Sequence, residues 1–327
     1  MHQRIFAALL LAGASVAAGT VSAQEWPSQP IKYIVPFPPG GATDIISRPV
    51  ADKLRERLGQ PVLIENIGGA GAAIGTARLK QARPDGYTIA LGNSASHTIT
   101  PHLLARPPYD ALADFTPISM LTEYANVLVV AAQSPVQDLP QFLALARDKG
   151  AAGGSGGLSY GSAGNGSSNH LGAALLGQMA GVNFTHVPYK GNAAALTDLM
   201  GGQIDWMFST ISEARPFLQA GKLRALGISS RARDPLLPDV APIADAVPNY
   251  EVVGFMGLFA PAKLPPAITA RLNREVVDLL QSPEMVERFS AQGMRARSST
   301  PEALAARVRR DYAAWQTVIQ RTGLKLE

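Results

Sequence analysis

The sequence predicts an α/β protein of two domains, and three observations lead to this prediction. The chain has 327 residues, and a domain commonly has roughly 100–200 residues. Short apolar segments alternate with segments whose apolar residues recur every three or four positions, which is the pattern of βαβ units with a parallel sheet. Hydrophobic residues make up 46% of the chain, which is enough for sizeable cores and excludes disorder as the main state.

The first 23 residues have the layout of a secretory signal peptide. Arg4 precedes the apolar run 5–18, and Val21, Ser22 and Ala23 supply the small residues that signal peptidase reads. Small and polar residues dilute this run, whereas a membrane-spanning helix needs about 20 mainly apolar residues. We therefore expect cleavage after Ala23 and a mature protein in the periplasm.

Strand-like and helix-like segments alternate through the mature chain. The first strand is the apolar run 31–36, and the first helix, 44–58, is apolar at every fourth position before a predicted stop at Gly59. Pro49 lies inside this helix and predicts a late start or a kink. Further strands are predicted at 62–65, 87–91, 127–131, 158–161, 184–188, 204–208 and 224–229, and helices at 71–82, 139–149, 170–180, 194–200 and 213–220.

The end of the chain is predicted to be mainly helical. An apolar stretch, 252–260, follows a proline-rich loop, and helices are predicted at 266–281, 283–292 and 301–322. Each of these helices has an apolar face of period 3.6 and a proline near its start.

The charge pattern excludes a nucleic-acid-binding protein. The chain has 29 Lys and Arg against 25 Asp and Glu, and its formal charge of +4 is spread along the sequence. Nucleic-acid-binding domains instead concentrate basic residues on one face. The five histidines have no metal-ligand spacing and there is no cysteine, so we predict no metal site and no cofactor.

The loops between strands and helices are the most informative part of the sequence. Five of these junctions are rich in small residues, at 36–44, 66–75, 92–96, 161–168 and 189–193. Helix N-termini carry unpaired N–H groups and the positive end of the helix dipole, so they bind anions. In an open parallel sheet these loops gather at the carboxyl ends of the strands. Ordinary capping explains any one junction, but several together predict a cleft for an anion.

The sequence gives catalysis only a weak basis. Asp44 and Asp205 could act as an acid–base pair, but Asp44 is also placed to cap the first helix and Asp205 to orient a loop. The glycine-rich segment 66–75 lacks the acidic residue that a dinucleotide-binding loop requires about 20 positions later. An exported enzyme is therefore the weakest of three hypotheses for function.

Ordered motifs throughout residues 26–327 carry a family resemblance. They are the segments 30–44 (PIKYIVPFPPGGATD), 58–61 (LGQP), 84–88 (PDGYT), 114–117 (DFTP), 164–171 (GNGSSNHL), 187–191 (VPYKG) and 198–205 (DLMGGQID). With these motifs the sequence resembles the Bug family, the substrate-binding receptors of tripartite tricarboxylate transporters.

The resemblance implies a two-lobed periplasmic-binding-protein fold of type II, which closes like a Venus flytrap on its ligand. Lobe 1 would comprise residues 24–126 and 252–327, and lobe 2 residues 127–251, each with a mostly parallel sheet. The ligand carboxylate would be held between the lobes, largely by backbone amides and ordered water. In lobe 1 the implied site residues are Phe37, Gly41, Ala42, Thr43 and Asp44, with Ser94 and Ser96 nearby. In lobe 2 they are Asn165, Ser167, Ser168, Lys190, Gly191, Asn192 and Ala193, with Asp205 behind or beside the ligand.

The resemblance further implies a function. The protein would capture a small organic carboxylate by hinge closure and deliver it to integral membrane transporter subunits. In the alternative hypothesis, the ligand-bound form docks on a sensor kinase of a two-component system. A monomer is expected, and dicarboxylates, tricarboxylates, amino acids and aromatic acids all fit the pattern as ligands.

Overall fold

A computed structural model describes residues 26–151 and 157–322. The predicted signal peptide and its cleavage site lie outside these ranges. The strands are β1 Ile31–Val35, β2 Val62–Asn66, β3 Thr88–Asn93, β4 Phe115–Ala131, β5 Ser159–Ser162, β6 Thr185–Pro188, β7 Trp206–Thr210, β8 Leu223–Ile228, β9 Val253–Pro261 and β10 Arg295–Ala296. The helices are α1 Ala42–Leu58, α2 Ala73–Lys80, α3 Thr100–Leu103, α4 Leu139–Ala151, α5 Ser168–Ala180, α6 Asn192–Met200, α7 Ile211–Gln219, α8 Pro266–Leu280, α9 Pro283–Ala291 and α10 Pro301–Thr322.

The strands form two sheets that share β4. In the first sheet β2, β1 and β3 are parallel, β9 runs antiparallel between β3 and β4, and β10 pairs with the other side of β4. In the second sheet β6, β5 and β7 are parallel, and β4 pairs antiparallel with both β7 and β8. The predicted parallel βαβ units are therefore present at the outer part of each sheet, while the strands beside β4 are antiparallel.

The long strand β4 carries the chain from one sheet to the other. Its residues up to Ala125 pair with β9, and its residues from Asn126 onward pair with β7 and β8. The chain returns at Val252, whose N–H donates to the Ser229 carbonyl just before β9 begins. The lobe boundaries at 126/127 and 251/252 stay a prediction, and we use the names lobe 1 and lobe 2 in that sense.

Both faces of each sheet are covered by helices. In lobe 1 the core lies between the sheet and α1, α8 and α9 on one face, and α2 and α10 on the other. In lobe 2 α4 and α5 cover one face and α6 and α7 the other. Among the described residues, no helix combines the length and the apolar character needed to cross a bilayer.

Helix α1 shows how local sequence places the start of the site. It ends where predicted, because Gly59 takes a left-handed conformation (φ 67°) and its N–H caps the Arg55 carbonyl. The helix begins at Ala42 and continues through Pro49, so the late start predicted there is wrong. Proline cannot bond to the carbonyl four residues earlier, and that residue, Ile45, is exposed on the surface, where water can solvate its carbonyl.

Candidate functional site

In both sheets the parallel strands end near the point where β4 passes from one sheet to the other. In the first sheet Asn93 of β3 pairs with Met256 of β9, near the point where β9 pairs with Ala125. In the second sheet Thr210, the last residue of β7, pairs with Asn126. Helices α1, α5, α6 and α7 follow directly on β1, β5, β6 and β7. Their N-termini therefore lie at the two sheet edges that meet at the crossover.

In lobe 1, Asp44 holds the loop that leads into α1. Its Oδ2 accepts a hydrogen bond from the Gly40 N–H (2.9 Å), and its Oδ1 accepts one from Asn66 Nδ2 (3.1 Å). Arg48 adds a bidentate ion pair at 2.9 and 3.0 Å. Burial alone raises the pKa of Asp44, but the hydrogen bonds from Gly40, Arg48 and Asn66 outweigh burial and lower it. The carboxylate is thus ionised, both of its oxygens accept hydrogen bonds, and it positions the loop before α1.

The start of α1 presents backbone donors. Gly41 is the N-cap residue, and no side chain caps the helix there. Asn66 also donates to the Phe37 carbonyl (3.1 Å), which fixes the other end of the loop. Ala42 is partly exposed and Thr43 is buried at this N-terminus. The first N–H groups of α1 therefore have no side-chain acceptor, as a site for an anion requires.

Ser94 and Ser96 are built into the structure of lobe 1. Both are buried, with exposures of 3% and 0%. The Ser94 Oγ accepts from the Phe255 N–H (3.0 Å), and the Ser96 Oγ accepts from the Asn93 N–H (2.9 Å) and contacts His97 Nδ1 (2.9 Å). Their hydroxyl groups therefore stabilise the turn after β3, and their predicted place near the ligand stays a prediction.

The N-terminus of α5 supplies the corresponding loop in lobe 2. Ser167 caps the helix: its Oγ accepts from the His170 N–H (3.4 Å) and donates to the Gly164 carbonyl (2.6 Å). The Gly166 N–H donates to His170 Nδ1 (3.1 Å). Asn165 at the tip of the loop is exposed. The loop is therefore fixed by its own residues, with Asn165 and Ser168 at its accessible side.

The N-terminus of α6 rests on a polar network that the sequence analysis missed. Asn192 Oδ1 accepts from Asn169 Nδ2 (2.5 Å), and Asn192 Nδ2 donates to Glu213 Oε2 (2.5 Å). Thr210 Oγ1 donates to the same Glu213 oxygen (2.6 Å). The spacing of Thr210 and Glu213 is that of a capping box, a helix-start signal present in the sequence. This network ties α5, α6 and α7 together at the sheet edge.

Three predicted residues at this N-terminus remain accessible. Gly191 is the N-cap of α6, with φ 111° and no side-chain cap. Lys190 and Ala193 on either side are exposed. The start of α6 thus offers uncapped N–H groups next to a lysine, as α1 offers uncapped N–H groups in lobe 1.

Tyr124 connects the crossover to the lobe 2 loop. Burial raises the pKa of its hydroxyl, although the Ser168 side chain and Arg307 lie close enough to lower it. The ring lies against Gly254, where an added Cβ would come within 2.3 Å of it. Two residues further along β4, Asn126 is buried, and its amide has no hydrogen-bond partner among the described residues. Neither residue carried a sequence signal, because both precede residues 127–131, the part of β4 that was predicted as a strand.

Asp205 does not lie at this edge. It precedes β7, and its Oδ2 accepts from the N–H (2.7 Å) and Oγ (2.8 Å) of Ser159 at the start of β5. In the parallel pair of β5 and β7, these positions are at the amino ends of the strands, a strand length from Thr210. Asp205 thus bonds to Ser159 at the opposite end of β7 from Thr210, and its predicted place behind or beside the ligand stays a prediction.

No group of three metal-ligating side chains occurs within residues 26–151 and 157–322. The histidines there instead pack against aromatic rings. His97 stacks on Phe259 at 4.0 Å, and His170 stacks on His186 at 3.9 Å with an interplanar angle of 10°.

The stacked pair of His170 and His186 predicts a loss of stability in acid. Burial, with a smaller contribution from the charge of His186, lowers the pKa of His170 to about 3, and burial lowers that of His186 to about 4. In the unfolded chain both titrate near 6.5, so the unfolded state binds more protons below that pH. The free energy of unfolding should fall as pH drops from about 6.5 towards 3–4, by up to about 1.4 kcal/mol per pH unit for each histidine.

Urea unfolding at a series of pH values measures this slope. His186→Gln retains a polar partner for Ser162, which lies 2.7 Å from His186 Nε2, and removes one titrating group. We expect a shallower slope for this variant than for the wild type. An unchanged slope would show that the pair does not control acid stability.

Comparison with known proteins identifies similar chains. A family model described as "Tripartite tricarboxylate transporter family receptor" matches residues 46–324. Protein BugT of Bordetella pertussis is 33% identical over 321 residues, which cover 98% of this chain and 97% of that protein.

Solved structures with the same arrangement are also similar in sequence. R. palustris Rpa4515, solved with adipate, has a TM-score of 0.82 and 30% identity, and the match covers 92% of this chain and 99% of that one. MatC (Rpa3494) from Rhodopseudomonas palustris, solved with bound malate, has a TM-score of 0.78 and 33% identity, with coverages of 90% and 99%.

Proposed function

The chain belongs to the family of tripartite tricarboxylate transporter receptors, and from this premise we propose that it binds a small organic carboxylate between its lobes. Members of this family are periplasmic binding proteins with the two-lobed fold. The similar structures with adipate and malate support a carboxylate as the ligand class. The observation that carries the proposal is the pair of uncapped helix N-termini at Gly41 and Gly191, one in each lobe.

The proposed clamp consists mainly of backbone donors. In lobe 1 it is the segment from Phe37 to Thr43, which Asp44 holds in position from behind. In lobe 2 it is Asn165 and Ser168 at the start of α5 and the segment 190–193 at the start of α6. Helix dipoles and N–H groups from both lobes would then converge on one carboxylate. Tyr124 and Asn126 are the polar side chains at the crossover that face this site in the proposal.

Hinge closure about the crossover strands would trap the ligand. The closed form would deliver it to integral membrane transporter subunits, in keeping with the family. The protein would act in the periplasm as a monomer, after cleavage behind Ala23. Its relatives are solute-binding proteins, and we propose no catalytic step.

A thermal-unfolding panel tests the ligand class. The mature protein is denatured and refolded to remove bound ligand, and each carboxylic acid is compared with its neutral amide. An acid at about 100 times its Kd should stabilise the fold by about 2.7 kcal/mol, which corresponds to a rise in Tm of roughly 5 °C for a protein of this size. The amide should give no rise, because it lacks the negative charge that the helix N-termini favour.

Two outcomes would contradict the proposal. One is an equal rise in Tm with an acid and its amide. The other is a neutral or cationic molecule, identified by mass spectrometry, that is released when the freshly purified protein is denatured.

A further inference from the structure

A cavity lies at the junction of the lobes. Its volume is about 710 Å³, and it is enclosed by β4 at Glu123–Ala125, by the segment between β8 and β9, by β10 and by the middle of α10. Apart from Tyr124, which borders both sites, none of the residues proposed to bind the ligand lines it. Small-molecule sites commonly have volumes of about 300–1,000 Å³, so this cavity is large enough to hold an organic ligand of its own. We call it the hinge cavity.

Arginine is the only basic residue type in the lining of the hinge cavity. The arginines are Arg231, Arg295, Arg297, Arg307 and Arg310, and four carboxylates accompany them, so the lining carries a formal charge of +1. The side chain of Arg307 is 13% exposed, whereas those of the other four are more than half exposed. An anion that enters the cavity would therefore meet several accessible guanidinium groups.

The ion pairs of these arginines leave donors for a ligand. Arg297 contacts Glu123 through Nη1 at 2.7 Å, and Arg295 contacts Asp234 through Nη2 at 3.6 Å. These pairs use one nitrogen each, while a guanidinium carries five N–H donors. Exposed ion pairs contribute only about 0–1 kcal/mol to stability. A ligand carboxylate that accepts two parallel N–H bonds from one guanidinium group can therefore replace such a pair.

One wall of the cavity is apolar. Leu175 of α5, Val252 before β9, and Trp315 and Val318 of α10 form this wall. The Trp315 side chain is half-buried, which leaves part of the indole available for contact. An apolar wall and arginines in one cavity suit a ligand with a flat apolar body and a carboxylate, because the ring can pack on the indole while the arginines bind the charge.

We propose that the hinge cavity is a second binding site, for an aromatic carboxylate. This site is separate from the clamp at the helix N-termini and does not depend on the function proposed for it. Its walls come from both sheets and from α10, so its ligand would contact both lobes at once.

Trp315 allows this site to be observed directly. The chain has three tryptophans, and labelling the mature protein with 5-fluorotryptophan gives one fluorine resonance for each, with Trp315→Phe identifying the one in the cavity. We expect benzoate to shift the Trp315 resonance in a saturable way and benzamide to leave it in place. The double variant Arg297→Gln, Arg310→Gln should raise the Kd for benzoate roughly tenfold or more, which is about 1.4 kcal/mol.

Two controls separate this site from other effects. Arg309→Gln changes an arginine of α10 that does not line the cavity, and it should leave the Kd within about twofold. Gly191→Val, which disturbs the clamp, should leave the benzoate-induced shift of Trp315 intact. The proposal is overturned if benzoate gives no shift up to roughly 10 mM, the Kd at which binding is worth less than about 3 kcal/mol. It is equally overturned if benzamide gives the same shift, if the double variant binds as the wild type does, or if Gly191→Val abolishes the shift.

Discussion

Asp44→Asn is expected to weaken binding of the carboxylate ligand roughly tenfold or more and to lower the free energy of unfolding by about 2 kcal/mol. The Asp44 carboxylate accepts hydrogen bonds from Gly40, Arg48 and Asn66, and charge-assisted bonds of this kind each contribute about 1.5–3 kcal/mol. An amide has only one acceptor oxygen and places its NH₂ group against one of these donors. The loop before α1 would then lose the conformation that exposes its N–H groups.

Titration calorimetry with the acid identified by the thermal panel measures the affinity, and urea unfolding measures the stability. Asp52→Asn is the matched control. Asp52 lies on the same helix, but it is exposed, and its ion pair with Arg55 is a long surface contact of 3.8 Å. It should change neither quantity by much. If Asp44→Asn bound the acid as tightly as Asp52→Asn does, Asp44 would have no part in positioning the clamp.

Gly191→Val should reduce affinity by roughly tenfold to a hundredfold, because it reshapes the start of α6. Gly191 has φ 111° and ψ 161°, a region that only glycine enters readily and that costs other residues about 1–3 kcal/mol. No atom lies within 4 Å of an added Cβ, so the effect comes from the backbone and not from a clash. The loop is expected to relax to negative φ and to turn the first N–H groups of α6 away from the ligand.

The control for this variant is Gly181→Ala. Gly181 also has a positive φ (66°) and open space around it, but it follows the C-terminus of α5, at the far end of that helix from the clamp. This substitution should lower Tm while the affinity stays unchanged. Equal losses of affinity in the two variants would mean that general destabilisation, and not the α6 N-terminus, governs binding.

Much of the fold follows from patterns that are local in the sequence. The three C-terminal helices begin and end close to their predicted bounds, since each has a proline at its start and a continuous apolar face. The predicted end of α1 at Gly59 is also confirmed, because a glycine directly after a helix is a local signal for its end. The resemblance to the transporter receptors is confirmed by the family model.

The first half of the crossover strand β4 was not predicted. The first half of β4 contains Thr116, Ser119, Thr122 and Glu123, so it lacks the apolar run that marks a buried strand. In the structure Thr116, Ser119 and Glu123 have partners on distant segments; for example, the Ser119 Oγ donates to the Ser299 carbonyl at 3.0 Å. Such long-range pairing satisfies polar groups in a way that no local pattern reveals.

The predicted site residues fall into two groups, those that would act through the backbone and those that would act through a polar side chain. Small-residue loops at helix starts were predicted from backbone chemistry, and Gly41 and Gly191 do lie at uncapped N-termini. Ser94, Ser96 and Asp205 were placed near the ligand by the family resemblance, and their side chains bond within the protein. A side chain's partner depends on tertiary contacts, so its role was the less predictable part.

The return of the chain to the first sheet bears on the order in which the protein folds. The strands of the second sheet come from one continuous stretch of the chain, from the later part of β4 to β8. In the first sheet, by contrast, β3 pairs with β9, which is distant in sequence; for example, Leu91 pairs with Leu258. Pairings between distant residues are slow to form because the intervening chain must first be closed into a loop. Lobe 2 is therefore expected to become compact first, and insertion of β9 between β3 and β4 completes lobe 1 as the late, rate-limiting step.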